Sequence, residues 1–465
     1  MKKTKHDDHD LIGWDVTWKA FCDVFDDLHE SNPEWVTVTR YLTGVVGTNH
    51  QHTANSLKPS NIEEDKTKLP VDGEGILFIP MFNRDYCLGV CHELSKTLRE
   101  ASDFSMHFIT PTGEVAESIA DDKELYWHSK NVLRKWNTSL SIWAKGFSSY
   151  RKGVKAIAGN QRTVSAMKCN FSRWKLGLAK FVGLYYWEIA CAKKWLKKHQ
   201  IKAIVTINDV VKPPAAFIAA GNLLKIPTVV IQHGVPGPHS APMQASRGWV
   251  WGESSKKLLI GFGESSGKLV NVGNLEIDQC GYSDQTESRE IKKLLLLSQW
   301  RASQGWGEEE FETYFATAAA AAANATDQWE LIIRLHPTEG DSVREIIQKR
   351  LVGIDIEYQF SLNGNSIETD VNACDFACTI NSSSMLHAVA ANKPCAVIIS
   401  KKLESRVGTS LFGSEYIART GEELTQLIDK NKVMTTEERS KILANRGSGY
   451  ITATENLLNQ IHHGV

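Results

Sequence analysis

Short apolar runs that stop abruptly at polar residues recur along the chain, and helical stretches separate them. ILFIPMF (Ile76–Phe82) reads as a buried strand, CLGVCHELSKTLREA (Cys87–Ala101) as an amphipathic helix and MHFITP (Met106–Pro111) as the next strand. Strand, helix and strand in this order build a parallel sheet with helices on its faces. The pattern resumes with IKAIVTIND (Ile201–Asp209), a strand ending in Asn208 and Asp209. A helix follows at Pro213–Ile226, with proline at its start, where a missing N–H costs nothing. PTVVIQHG (Pro227–Gly234) is a strand ending in Gln232, His233 and Gly234. RGWVWGES (Arg247–Ser254) and KLVNVGN (Lys268–Asn274) continue the series, the latter ending in Gly273 and Asn274.

Ile277–Glu290 is polar and suits a linker. KKLLLLSQ (Lys292–Gln299) then opens a second α/β unit, with Gln299 at its strand end. An alanine-rich helix over Phe311–Asn324 feeds the strand LIIRLHP, which ends in Arg334, His336 and Pro337. Phe376–Ile380 is a further strand ending in Asn381 and Ser382–Ser384; a compact helix over Met385–Ala391 and a strand over Cys395–Ile399 follow. The last stretch, EERSKILANRGSGYITATENLLNQI, reads as two helices. The expected organisation is an N-terminal helical or irregular segment over 1–70, a first Rossmann-like domain over 71–280 with a helical insertion at about 124–200, a second over 290–440, and a C-terminal helix over 441–465. Trp14–Leu28 has helical spacing; between Glu124 and Gln200 no strand is predicted.

Composition narrows the class. At 465 residues the chain needs more than one core. A hydrophobic content of 42%, a net charge of −1 and a pI near 6.9 fit a soluble globular protein and argue against bulk nucleic-acid binding. MKKTKHDDHD is followed by no apolar core, and 9 scattered cysteines suit a reducing compartment, so a cytoplasmic location is expected. The pairs Cys87/Cys91 and Cys374/Cys378 alternate with apolar residues and lack a neighbouring pair, so no metal is expected. His6–Asp10 reads as a solvated tail, and GFGESSG (Gly261–Gly267), lacking the P-loop ending, as a turn.

The average charge hides an asymmetry. Residues 145–202 hold 14 Lys or Arg against one acid, Glu188, a formal +13. Aromatics interleave: Trp143, Tyr150, Phe171, Trp174, Phe181, Tyr185, Tyr186, Trp187 and Trp195. Such a segment suits an anionic lipid surface or a polyanionic acceptor; the alternative is a helical insertion with aromatics in the core and lysines facing water.

The candidate chemistry sits at the strand ends, because open α/β sheets bind ligands outside the carboxyl ends of their strands. Three consecutive hydroxyl residues at a helix start offer side-chain oxygens and backbone N–H groups to a phosphate. Arg334, His336, Pro337, Asn381, Ser382, Ser383 and Ser384, with Gly273 and Gln299, form the expected donor site. Asp209 is the candidate base for an acceptor hydroxyl, and His233, at the next strand end, is its rival. His336 is placed to serve a departing phosphate.

Two Rossmann-like units with a phosphate site in the second resemble the GT-B fold of nucleotide-sugar glycosyltransferases, over roughly residues 75–460. His336-Pro337, followed 46 residues after the histidine by Ser382-Ser383-Ser384, is similar to the His-Pro and paired-serine motifs of bacterial sialyltransferases and related enzymes using CMP-activated acid sugars. Gln232-His233-Gly234 together with His336-Pro337 is also similar to capsule-type Kdo transferases and, less closely, to polyol-phosphate transferases of teichoic acid synthesis. The acidic-acidic-Gly motif of the sialyltransferases is represented by Asn208-Asp209-Val210.

The resemblance implies a metal-independent glycosyltransferase that moves a sialic-acid-like or Kdo residue from a CMP donor to a glycan or lipid-linked glycan, at the inner face of a bacterial inner membrane, without nucleic acid. A CDP-polyol phosphotransferase, a UDP-sugar transferase or epimerase, and a non-catalytic assembly protein are the alternative readings.

Overall fold

The structure is a computed structural model that describes residues 14–32, 34–47, 73–80, 85–110, 124–128, 133, 140–160, 162–163, 171–209, 212–282, 290–298, 308–336, 339–362, 364–380, 382–399 and 411–463. The fully buried run GILFI forms strand β1 (Gly75–Ile79). Such a strand needs partners on both edges and cover on both faces. It lies between β2 (Ser105–Thr110) and β4 (Ile201–Thr206), parallel to both. With β3 (Glu124–His128), β5 (Thr228–Ile231), β6 (Arg247–Val250) and β7 (Leu269–Asn271) it makes a seven-stranded parallel sheet of order β3-β2-β1-β4-β5-β6-β7. The second sheet, from β8 (Lys292–Leu297), β9 (Trp329–Arg334), β10 (Glu357–Phe360), β11 (Phe376–Thr379), β12 (Cys395–Ile398) and β13 (Ile417–Ala418), runs β10-β9-β8-β11-β12-β13. Both orders reverse after the first strand of their sheet, the doubly wound arrangement whose switch point opens a crevice. The chain is thus an α/β protein of two Rossmann-like domains.

The helices bury apolar faces on these sheets. Helix α3 (Asp85–Ala101) packs Leu94 and Leu98 into one face of the first sheet. The other face is covered by α1 (Trp14–Ser31), α2 (Trp35–Gly47), α4 (Leu140–Gly159), α5 (Phe171–Lys198) and α6 (Pro214–Leu223), whose shared core holds Phe25, Trp35, Tyr185, Trp195 and Phe217. Arg40 of α2 is fully enclosed there.

Two sequence readings change. The stretch over 124–200 was expected to be helical throughout, yet β3 is a strand along the edge of β2. ELYWH has no decisive strand pattern; the open edge of β2 supplies the backbone partners that decide its state. Of the aromatics between 145 and 202, Phe181, Tyr185, Tyr186 and Trp195 are buried in the core, so α5 does not offer them to an external surface. Phe171 and Trp174 carry no described side chain. Glu188 pairs with Lys212 at 3.1 Å.

The chain leaves the second domain through α12 (Gly421–Lys430) and α13 (Thr436–Ile442), then returns to the first as α14 (Gly449–His463). Ala453 and Leu457 of α14 join the core beside α3. The return is tight: Ala444 N–H donates to the Trp251 carbonyl at 2.7 Å, and Asp278 accepts from the N–H groups of Gly447 and Gly449 at 2.9 and 2.8 Å. Gly273 lies beneath it at φ +93°, and a Cβ there would meet the Ala444 carbonyl oxygen at 2.3 Å. Gly273 thus serves a close backbone crossing, where only glycine fits. Among the described residues no helix is long and apolar enough to cross a membrane.

Candidate active site

A cavity of about 690 Å³ lies between the two domains. Its walls are strand ends: Ile207 beyond β4, Ile231–His233 at β5, Trp251 beyond β6 and Asn274–Glu276 beyond β7 face Leu297–Ser298, Arg334–His336 and Ser382–Ser384. The switch points of the two sheets therefore open onto one space.

The second-domain wall is built from backbone clamps. Thr379 Oγ1 donates to the Leu297 carbonyl at 3.2 Å and accepts from Ser382 N–H at 3.2 Å. Ser384 N–H donates to Ser382 Oγ at 3.2 Å. These bonds fold Ser382–Ser384 into a turn ahead of α11 (Met385–Ala390), with all three serines half-buried at the cavity wall. His336 reaches the same space from the end of β9. Its backbone N–H donates to Glu339 Oε2 at 2.8 Å, and Ser298 Oγ donates to the same oxygen at 2.7 Å. One carboxylate thus ties the ends of β8 and β9 and fixes the height of His336.

Arg334 also lines the cavity, but its guanidinium is taken by Asp370 and by the carbonyls of Asn365 and Ser366. Gln299, Pro337 and Asn381 lie outside the described residues.

On the first-domain wall, Gln232 positions His233. Gln232 Oε1 accepts from Trp251 N–H at 3.0 Å, its carbonyl accepts from Trp251 Nε1–H at 3.1 Å, and its Nε2 donates to the Gly234 carbonyl at 3.0 Å. The strand end is locked, and His233, exposed in the cavity mouth, is carried on it.

Asp209 is placed elsewhere. It is 4% exposed and is not among the cavity's lining residues. Arg40 Nη1 donates to its Oδ1 at 3.3 Å, while the N–H groups of Gln244 and Ala245 donate to Oδ2 at 2.7 and 3.4 Å. With both oxygens occupied, this carboxylate anchors α2 and stands outside the cavity lining, away from the place its strand-end position suggested. Of the three expected catalytic residues, the structure brings His336 and His233 together and leaves Asp209 out.

Two cavity residues escaped the sequence reading. Glu276 lines the first-domain wall, and burial pushes its carboxyl pKa up. Its signal was the Asn274 turn: Asn274 Oδ1 accepts from the N–H groups of Glu276 and Ile277 at 3.1 and 3.4 Å, an Asx turn that throws the next side chains past the end of β7. The other is His387, buried in α11, with its Nδ1 hydrogen-bonded to Tyr282 OH of the linker. Burial, reinforced by the Arg334 charge, lowers its pKa to about 4, so it is neutral near pH 7. It has no sequence signal, because its partner lies 105 residues away.

No protein-family model and no curated protein matches this chain. Solved structures do. A glycosyltransferase of Rickettsia africae superposes with a TM-score of 0.52 at 11% identity, over 85% of this chain and 100% of that one. A UDP-GlcNAc 2-epimerase of Neisseria meningitidis bound to UDP-GlcNAc gives 0.47 at 14%, over 83% and 100%. The UDP complex of S. aureus MnaA gives 0.47 at 16%, over 84% and 96%. At 11% identity the likeness to the Rickettsia africae protein carries the fold alone: the chain shares the two-domain GT-B architecture, with which its strand orders agree.

Proposed function

We propose that this chain transfers a glycosyl group from a nucleoside-diphosphate sugar to an acceptor hydroxyl within the interdomain cavity. The observation that carries this reading is that one cavity presents Ser382–Ser384 and His336 on its second-domain wall and His233 and Glu276 on its first-domain wall. In the reaction the anomeric C–O bond breaks and its electrons pass to the leaving phosphate. The serine hydroxyls and His336 meet that developing charge. The acceptor oxygen forms the new bond, and its proton goes to a base on the opposite wall, His233 or Glu276. The leaving phosphate is served by these side chains, so this reading calls for no resident metal.

A cavity of about 690 Å³ is of the size that holds a small cofactor or nucleotide sugar. The GT-B architecture supports the same class of donor, and the Rickettsia africae protein of that fold is named a glycosyltransferase. A nucleoside-diphosphate sugar and a CMP-linked acid sugar each carry two negative charges, and among the described lining residues the one Lys or Arg is Arg334, paired with Asp370, so either donor relies on neutral hydrogen-bond donors. The second reading, a CMP-linked acid sugar, rests on the 46-residue spacing from His336 to Ser382 and on both facing one cavity.

Thermal unfolding with CMP, CDP, UDP and GDP separates the two. Stabilisation by UDP or another diphosphate, growing with its logarithm, is expected. Stabilisation by CMP alone establishes the acid-sugar reading, and no response to any nucleotide removes both in favour of a non-catalytic role. Incubation with the responding nucleotide sugar alone, followed by NMR, then distinguishes transfer from epimerisation, which alters the sugar without an acceptor.

A further inference from the structure

Helix α4 is packed inside out. Its buried positions are Gly146, Ser149, Gly153 and Ile157, spaced so that three small residues and one isoleucine face the core. Gly146 comes so close to α5 that an added Cβ would meet the Gly183 Cα at 3.3 Å, and one on Gly153 would meet the Trp35 ring at 2.3 Å. Three large apolar side chains stay outside the core. Leu140 is 87% exposed, Trp143 49% and Phe147 61%. On a helix these positions form one stripe, about 10 Å long, along the flank of the buried face, where the Trp143 ring lies against Gly183 of α5. Burial in the core would have been the default for such side chains, so their outward grouping marks an interaction surface.

The charge beside the stripe says what kind. Arg151, Lys152 and Lys155 are exposed on the same helix, Lys145 lies over the Tyr186 ring of α5, and α4 contains no Asp or Glu. A surface meant only for water mixes both signs. Apolar anchors with cations beside them match a bilayer, whose acyl boundary takes the first and whose anionic headgroups take the second.

We infer that the outer face of α4, through Leu140, Trp143 and Phe147 and the cations at 151, 152 and 155, docks the protein on an anionic lipid surface. The contact is thereby assigned to one helix face of the long basic segment, since Phe181, Tyr185, Tyr186 and Trp195 of α5 are core. It does not depend on the chemistry of the cleft.

Full-length protein is sedimented with phosphatidylcholine vesicles and with mixed phosphatidylcholine–phosphatidylglycerol vesicles. Binding to the mixed vesicles, weakening as salt rises, is expected. The Leu140→Ser/Phe147→Ser variant should lose about tenfold in partitioning, and Lys152→Glu/Lys155→Glu about tenfold or more. All four side chains face solvent, so circular dichroism, melting temperature and nucleotide binding should be unchanged in both variants. A parent protein that ignores anionic vesicles, or variants that bind them as well as the parent, would overturn the inference. So would a parent dimer that the serine variant converts to a monomer without any vesicle binding, since a second copy would then be the occupant.

Discussion

Asp209→Ala separates an anchoring carboxylate from a catalytic one. In the folded protein the Arg40 side chain is 0% exposed and that of Asp209 6%. Arg40 also donates to the Pro242 carbonyl at 3.0 Å and stacks over Trp18 at 5.3 Å, so it cannot swing out to water when its partner is removed. Deleting Asp209 strands a buried guanidinium and two backbone N–H groups, those of Gln244 and Ala245. Breaking a buried pair in this way costs about 3–5 kcal/mol. For a domain of this size that corresponds to a fall in melting temperature of roughly 6–20 °C. Thermal and urea unfolding followed by tryptophan fluorescence measure it. Replacing both partners, as Arg40→Met/Asp209→Leu, should recover more than half of the loss, because no uncompensated charge is left. Turnover per folded molecule should stay within a few-fold of the parent. If Asp209→Ala melts within about 2 °C of the parent while turnover falls about a hundredfold, Asp209 is the base and the anchoring argument is wrong.

Glu276→Gln should leave melting unchanged or slightly raised, because a carboxyl with an elevated pKa loses stability as pH rises through that pKa, and the amide has no charge to desolvate. If Glu276 is the base, its turnover should fall by about 10²–10⁴ and the acidic limb of the pH–rate profile should disappear; an unaltered profile assigns the base to His233. Alanine at Ser383 and Ser384 together should weaken nucleotide binding by about tenfold or more in calorimetry, with little change in unfolding; unchanged affinity would rule out the phosphate role. His107, His199 and His387 are each lowered to about 4 by burial, so the unfolded chain takes up their protons first. Stability is then full above pH 6.5 and falls by up to about 1.4 kcal/mol per pH unit per histidine toward pH 4; urea midpoints that stay level across this window would contradict it. Gly273→Ala should destabilise markedly, since it faces both a φ of +93° and the Ala444 carbonyl; an intact melting temperature would mean that the return crossing is looser than it stands here.

Period and punctuation in the amino-acid sequence determined the architecture. Runs such as ILFI and LLLL are too apolar for anything but central strands, and helices between them force parallel pairing, so two doubly wound sheets followed from local pattern alone. The sequence also placed His233, His336 and Ser382–Ser384 at strand ends, and a strand end in such a fold opens on the crevice whatever the details. What it could not determine was which strand ends stay open. Asp209 carries the same local signature as His233, yet α2, 169 residues earlier in the chain, inserts Arg40 and closes it off. Arg334 is likewise spent on an aspartate 36 residues away. The state of ELYWH depends on the free edge of β2, and the direction of the aromatics near residue 145 depends on glycines that let α4 and α5 approach closely. Pairing, closing and facing are long-range events, decided by which partner arrives in three dimensions, and tertiary structure alone decided them.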